Sequence, residues 1–266
     1  MRIRLTIAYQ GTNFNGWQTQ AIRPGSPEQP TIQTHLMCAV ERITGARVHV
    51  HGAGRTDSGV HALAQVAHMD VPELGTSVDW VRGLNRSLPS SIRVVRAEPV
   101  PDDFHAQHSA TGKTYCYALW LDRRCTPPFI QPFVWNCGPV DGDAMERAAR
   151  LLPGRHDFAS LRNAGTDVES TIRTVTMARR EPDPSERLRL WRFEGDGFLK
   201  QMVRNMMGLL VQVGRGKVEP GDVPDILAGK SRAHGGVTAP ACGLCLYHVR
   251  YPDNPEPPGC LAPWWW

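Results

Sequence analysis

The 266-residue sequence predicts an α+β protein made of two halves with comparable element order. Three observations support this. Short segments alternate apolar and polar residues, the period of a half-buried strand. Segments with helical period and recognisable caps fall between them. Strands also follow one another closely, which favours antiparallel sheets with helices on one side over a doubly wound parallel sheet.

In the first half, Ile3, Leu5, Ile7 and Tyr9 alternate and read as a strand. A loop rich in Gly, Asn and Pro runs from Gly11 to Pro30. Thr31 then caps a helix whose apolar face is Ile32, Leu36, Val40 and Ile43, and Gly45 ends it. Val48 and Val50 begin a strand that leads into the glycine-punctuated loop 52–60. Gln65 to Val71 is a strand, Val78 to Leu88 a helix capped by Ser77, and Ile92 to Val100 a strand.

The second half opens on the aromatic strand Thr114 to Leu121. Asp141 caps a helix over 142–152, and Thr171 to Arg179 pairs with Leu188 to Glu194 across the link EPDPSE. A helix is expected from Gly197 to Val213, a short one over 223–229, and a closing strand from Leu244 to Arg250. The boundary falls near Phe104–Ala110, giving a first half 1–108, a second half 109–252 and a tail 253–266. The prolines in the tail prevent a helix there, so it is expected to be flexible.

Composition narrows the function classes. Lys and Arg total 30 against 26 Asp and Glu, a net charge of +4, and 26 of the 30 are arginine. Arginine's planar fork suits phosphate, but GC-rich coding explains most of such an excess. The balance permits a nucleic-acid partner without demanding one. No run of 18 apolar residues exists to span a membrane, and the N-terminus alternates like a strand rather than a signal peptide. Seven scattered cysteines do not form a secreted disulfide framework, so cytoplasmic residence with reduced thiols is expected. Cys242-x-x-Cys245 has no second pair at zinc-ribbon spacing and reads as part of a buried C-terminal strand.

The densest chemistry lies in Gly52-Ala53-Gly54-Arg55-Thr56-Asp57-Ser58-Gly59-Val60-His61. Its glycines permit tight turns and a close approach of backbone to ligand. An aspartate acting in a partly dry pocket must stay ionised, which requires a nearby cation. From these residues alone, an active-site loop and an exposed Arg-Asp surface loop are both open. Arg204 is a second cation, on a helix with Phe198, Met202 and Met206 along one face. It lies about 200° around the helix from Met202, off that face, and either meets water or lines a cleft. Glycine at 208 lets a neighbouring element pack closely on this helix.

Taken together, these segments resemble the TruA-type tRNA pseudouridine(38–40) synthases. The resemblance runs from the first strand to about Pro252. It rests on Tyr9, Gly11, Phe14-x-Gly16-Trp17-Gln18-x-Gln20, GAGRTDSGVHA at 52–62 and Gln65. It continues through Leu84-Asn85, Leu88-Pro89, Phe104-His105-Ala106, Tyr115-x-Tyr117 and His156-Asp157-Phe158. Met202-Val-Arg-Asn205, Val213-Gly214 and Ala239-Pro240-x-x-Gly243-Leu244 complete it.

The resemblance implies the pseudouridine synthase fold: two ferredoxin-like α+β halves with an antiparallel or mixed sheet and a central active-site cleft. It also implies a cofactor-free isomerase, without metal, acting on positions 38, 39 and 40 of the tRNA anticodon stem-loop, and a homodimer. On this basis Asp57 is the catalytic aspartate and Arg204 the arginine that pairs with it. Tyr115 packs on the target base, Arg55 helps hold the flipped nucleotide, and Leu244 lines the base pocket. Asp57 either attacks the anomeric carbon or removes a sugar proton to give a glycal; both routes stay open.

The sequence departs from the family pattern at three places. Gln107 follows Phe-His-Ala where arginine is common. Cys116 stands between the two tyrosines where a basic residue is common, and Cys245 follows Gly-Leu where tyrosine is common. These bear on the grip on RNA rather than on the reaction. One rival, a non-catalytic tRNA-binding protein of the same fold, predicts a lost aspartate, but Asp57, Tyr115 and Arg204 are all present. A second rival, a metal-dependent hydrolase, would use His49, His51, His61, His68, Asp57 and Asp70, but their spacing matches no standard metal motif. A phosphate-binding nucleotide loop is set aside because the Gly-Lys-Ser/Thr ending is missing.

Overall fold

A computed structural model describes residues 1–19, 30–72, 78–163, 169–183, 185–229 and 236–254. The chain forms two compact units. The first holds Met1–Thr111 and, among the described C-terminal residues, those from Leu246 on; the second holds Gly112–Cys245.

The first unit has the order strand, helix, strand, strand, helix, strand. β1 (Arg2–Tyr9) buries Ile3, Leu5, Ile7 and Tyr9 on one face, as alternation requires. α1 (Ile32–Thr44) starts at Thr31, whose hydroxyl accepts the Thr34 N–H, and stops at Gly45 with φ 71°. β2 is only His51–Gly52, because Val48 and Val50 are buried without joining a ladder. β3 (His61–Asp70) is longer than expected, and α2 (Trp80–Ser87) begins two residues late, capped by Asp79. Ser77, expected as that cap, lies outside the described residues. β4 (Ile92–Val100) completes the unit.

The sheet order here is β4-β1-β3, with β2 on the far side of β3, all antiparallel. Leu5 of β1 stands opposite Ala67 of β3 and Ala97 of β4, so the apolar side chains share one face. This is the strand order of a ferredoxin-like βαββαβ unit.

In the second unit the path is β5-β9-β8-β7. β5 (Gly112–Trp120) and β9 (Leu188–Gly195) pair antiparallel, as do β9 and β8 (Ile172–Arg180), and β8 and β7 (Gly154–Asp157). The two-residue β6 (Trp135–Asn136) lies parallel to β5. Asp141 caps α3 (Gly142–Ala149) through the N–H groups of Asp143 and Ala144. α4 (Met202–Gly214) packs on α3 through Gly214, where a Cβ would stand 2.8 Å from the Met145 side chain. α5 (Val223–Ala228) is short.

The expected helix start at Gly197 is not realised. Gln201 takes a left-handed conformation with φ 60°, which breaks the helical path and leaves Phe198 in the turn before α4. β10 (Leu244–Arg250) begins in the second unit and continues in the first, where it lies beside β3. A division that is contiguous in sequence, 1–108 and 109–252, makes no provision for this return, because strand pairing ignores sequence distance. Of the tail, Asp253 and Asn254 are described. Asp253 pairs with Arg4 at 2.8 Å and Asn254 closes a turn with Tyr251. The remainder of 253–266 lies outside the described residues.

Candidate active site

In the first unit, main-chain contacts to 14–17 hold the Asp57 loop. The Trp17 N–H donates to the Thr56 carbonyl at 3.1 Å, and the Ser58 hydroxyl donates to the Phe14 carbonyl at 3.1 Å. The Val60 N–H closes the turn on the Asp57 carbonyl, also at 3.1 Å. Gly16, with φ +77°, brings the two strips together: a Cβ there would lie 2.4 Å from the Thr56 oxygen. Gly52 serves the same purpose, since its Cβ would strike the Trp17 ring at 2.5 Å. Glycine is therefore required at both positions for steric reasons.

Beneath the loop is a small polar core. Tyr9 and Thr56 share a hydroxyl–hydroxyl bond of 2.8 Å, and the fully buried Gln65 donates to the Gly54 carbonyl at 2.8 Å. His61, buried at the loop exit, accepts the Gly11 N–H on Nδ1 at 3.1 Å. Asp57 itself is half-buried and Arg55 is exposed, with no hydrogen bond or ion pair to Arg55 among the described residues.

In the second unit, Arg204 sits in the first turn of α4 and is half-buried. Its Nε–H donates to the Ala239 carbonyl at 2.8 Å, while the Ala239 N–H donates to the Arg204 carbonyl at 3.1 Å. Gly208 permits this clamp, because a Cβ there would overlap the Val237 carbonyl oxygen at 1.7 Å. Its neighbour Asn205, fully buried, donates to the Leu161 carbonyl at 2.7 Å and accepts the Thr238 hydroxyl at 2.7 Å. Arg204 is therefore anchored along its stem rather than loose in water.

Tyr115 is a buried residue of β5, and its ring meets Phe198 edge-on with centroids 5.3 Å apart. Leu244 is buried as the first residue of β10. It follows a turn whose Gly243 leaves room for the Tyr117 ring, and the Tyr117 hydroxyl donates to the Pro240 carbonyl at 2.6 Å. Thus Arg55 and Asp57 share one loop of the first unit, and Tyr115, Arg204 and Leu244 are residues of the second.

The structure adds groups that the sequence reading passed over. Phe198, expected on the apolar face of a helix, stands half-buried against Tyr115 instead. Asn205 fixes the turn of α4 that carries Arg204. Asn205 closes the Met202-Val-Arg-Asn205 motif and Phe198 lies four residues before it, the one signal the sequence carries for them.

Of the metal rival's histidines, His61 is turned to the Gly11 N–H, while the other three meet one another. His49, His51, His68, His105 and His108 make ring contacts, with centroids 4.2 Å apart for His49–His51 and 4.8 Å for the stacked His51–His68. Among the described residues no group of three or more His, Cys, Asp or Glu is placed to hold a metal ion. Burial, then the nearby His105, His51 and Arg2, lowers His68 to about 4. At the departures, Gln107 is exposed. Cys116 is buried opposite Arg192 of β9, and burial, with Cys245 nearby, pushes its thiol well up. Cys245 lies in β10, while Cys242 sits in the turn before it rather than in the strand.

A family model described as tRNA pseudouridine synthase matches residues 5–109 and 148–252, most of both units. The chain belongs to the tRNA pseudouridine synthase family. It is 52% identical over 255 residues to the tRNA pseudouridine synthase A of Lawsonia intracellularis, covering 94% of this chain and 99% of that one. It is 50% identical over 276 residues to that of Nitratidesulfovibrio vulgaris strain Miyazaki F, covering 94% and 99%. The protein of the same name from Myxococcus xanthus is 40% identical over 255 residues, covering 96% and 93%. Family membership includes the α+β fold and the isomerase class. No helix among the described residues is long and apolar enough to cross a membrane.

Proposed function

We propose that this chain converts uridine to pseudouridine at positions 38, 39 and 40 of the tRNA anticodon stem-loop, without a cofactor. The observation that carries this reading is the family match over both units, with the GRTDSGVHA loop at 54–62 intact inside it. A cytoplasmic homodimer is the assembly this reading expects.

The target uridine is stacked in the anticodon arm, so it must be extruded, at a cost of about a few kcal/mol. Tyr115 receives the flipped base on its ring, and Leu244 supplies apolar contact. Arg55 holds the flipped nucleotide from the loop. Arg204 takes the part that the resemblance gives it, the arginine that partners Asp57 in the reaction. Asp57 then drives cleavage of the bond between C1′ and N1, either by attack on C1′ or by removal of a sugar proton. The base turns and C5 bonds to C1′ as the aspartyl–C1′ bond breaks or, on the glycal route, as the sugar proton returns; C5 then loses its hydrogen as a proton and N1 takes one up. The Tyr115 hydroxyl is available for proton transfer.

The test is tritium release from tRNA labelled at C5 of uridine. Wild-type protein releases tritium without added metal or nucleotide, and Asp57→Ala does not. Absence of release by wild type, or undiminished release by the variant, rejects the assignment. Arg204→Ala is expected to lower turnover about 100-fold, or about 2.7 kcal/mol of barrier, while tRNA affinity changes much less. Equal losses in both would make Arg204 a backbone contact instead.

A further inference from the structure

Side chains alternate along β5, so Lys113, Tyr115 and Tyr117 share one face while Thr114 and Cys116 share the other. Lys113 stands opposite Gly195 of β9, and Tyr115 opposite Phe193. Gly195 places no side chain over the lysine, and a Cβ there would lie 2.6 Å from the Thr174 carbonyl and 3.2 Å from the Phe198 ring. Phe198 also meets Tyr115. Lys113, Phe198 and Tyr115 therefore belong to one side of the β5–β9 pair.

The Lys113 ammonium is set deep enough that lost hydration, with the Arg173 charge nearby, lowers its pKa to about 8. Among the described residues it makes no hydrogen bond or ion pair. Arg173, at the start of β8, spends its NH1 group on the carbonyls of Ser170 and Ile172 and meets no carboxylate among the described residues. The acids on either side of Gly195 are bonded to other groups. Glu194 is on the opposite face, paired with Arg192, and Asp196 accepts the Thr174 N–H. Two neighbouring cations with no counter-charge are costly in a partly dehydrated place. They suit an incoming group with a full negative charge and several acceptor oxygens.

We propose that Lys113 and Arg173 bind a backbone phosphate of the RNA, next to the nucleotide whose base lies on Tyr115. Two residues along a strand span about 7 Å, so one nucleotide can reach both side chains. The inference rests on the reading of this chain as an RNA-modifying enzyme.

The experiment measures binding of an anticodon stem-loop RNA by full-length protein carrying Asp57→Asn, so that no turnover intervenes. Affinity is followed against salt and pH, with and without changes at Lys113. Lys113→Gln should weaken binding about tenfold and reduce the slope of log affinity against log salt by about 0.7 to 0.9, one phosphate contact. Lys113→Arg should keep both. With lysine present, affinity should be highest below pH 8 and fall as pH rises toward 9.5, because the protonated amine is the binding form. With arginine present it should stay flat.

An unchanged salt slope in Lys113→Gln, or the same pH profile with lysine and arginine, overturns the proposal. If Lys113→Gln fails to fold, the lysine–arginine pH comparison decides. Tritium release by wild type alongside an unchanged slope defeats this inference alone. Failure of wild type to release tritium defeats the broader reading.

Discussion

The Asp57 loop and the Arg204 turn hold the side chains of the proposed site in opposite ways. The loop is fixed chiefly through its main chain: Thr56, Asp57 and Gly59 are tied to Trp17, Val60 and Phe14, the Ser58 hydroxyl adds a bond to Phe14, and Gly16 makes the fit possible. Arg204 is fixed through its side chain, with Nε on a carbonyl 35 residues later. A loop locked by backbone must write its geometry as glycines, which are visible in sequence. An arginine locked by a distant carbonyl leaves no such trace except Gly208, whose purpose shows only when the 237–239 segment is seen against it.

The glycines give the largest break of that comparison. Gly16→Ala forces a side chain into left-handed backbone and against the Thr56 oxygen at 2.4 Å. Strain and overlap together cost about 3 kcal/mol, a fall in Tm of about 10 °C for a chain this long. Gly208→Ala carries the overlap without the left-handed strain, yet at 1.7 Å from the Val237 oxygen it must push the 237–239 segment away. Its thermal cost should be similar. Tritium release should collapse in both variants, through Asp57 in one and Arg204 in the other. Calorimetry with the release assay checks this, and a Gly208→Ala protein with full activity would show that the Ala239 clamp is dispensable.

Acid should sharpen the contrast between the units. His68 is buried, its Nδ1 accepts the Ala106 N–H, and its folded pKa is about 4 against an ordinary 6.5. A lowered histidine pKa means that the fold prefers the neutral ring. No stability is lost above pH 6.5. As pH falls from 6.5 to 4 the unfolded chain takes up a proton that the folded chain refuses, and up to about 3 kcal/mol is lost. His51 and His105, also lowered by burial and neighbouring charge, add in the same direction. Among the described residues of the second unit the one histidine is His156. Hydrogen exchange between pH 7 and 4.5 should therefore show the first unit opening before the second. His68→Gln should flatten the decline, and an equally steep decline in that variant would place the acid sensitivity elsewhere.

Sequence reasoning reached furthest where structure is local. The Thr31 and Asp141 caps, the αL stop at Gly45 and the alternation of β1 all follow from a few adjacent residues. It fell short where partners are remote. β7 joins the edge of its sheet only through β8, and β10 passes from one unit to the other; neither fact is encoded in those residues alone. Residues 197–201 have an apolar pattern that extends the helix on paper, but Gln201 turns the other way. Asp57, Arg55, Tyr115, Arg204 and Leu244 are legible as a candidate site only through motif resemblance. Lys113 is not legible in the sequence, because a single lysine in an aromatic strand carries no signal until Gly195 and Arg173 are seen around it.

The smallest expected effect concerns how the two key helices begin. α1 starts conventionally, with Thr31 in extended backbone accepting an N–H. α4 starts from Gln201 at φ 60°, with no side-chain cap, three residues before Arg204. A non-glycine residue in this region costs about 1 kcal/mol. Gln201→Gly removes that cost, and the added freedom of the unfolded chain takes back about half. The net gain should raise Tm by roughly 1–2 °C. Because glycine keeps the same turn, Arg204 stays in place and tritium release should be unchanged. A drop in Tm would show that the glutamine side chain supports the turn. A drop in release at unchanged Tm would show that the turn must be stiff to hold Arg204, tying the backbone strain to catalysis.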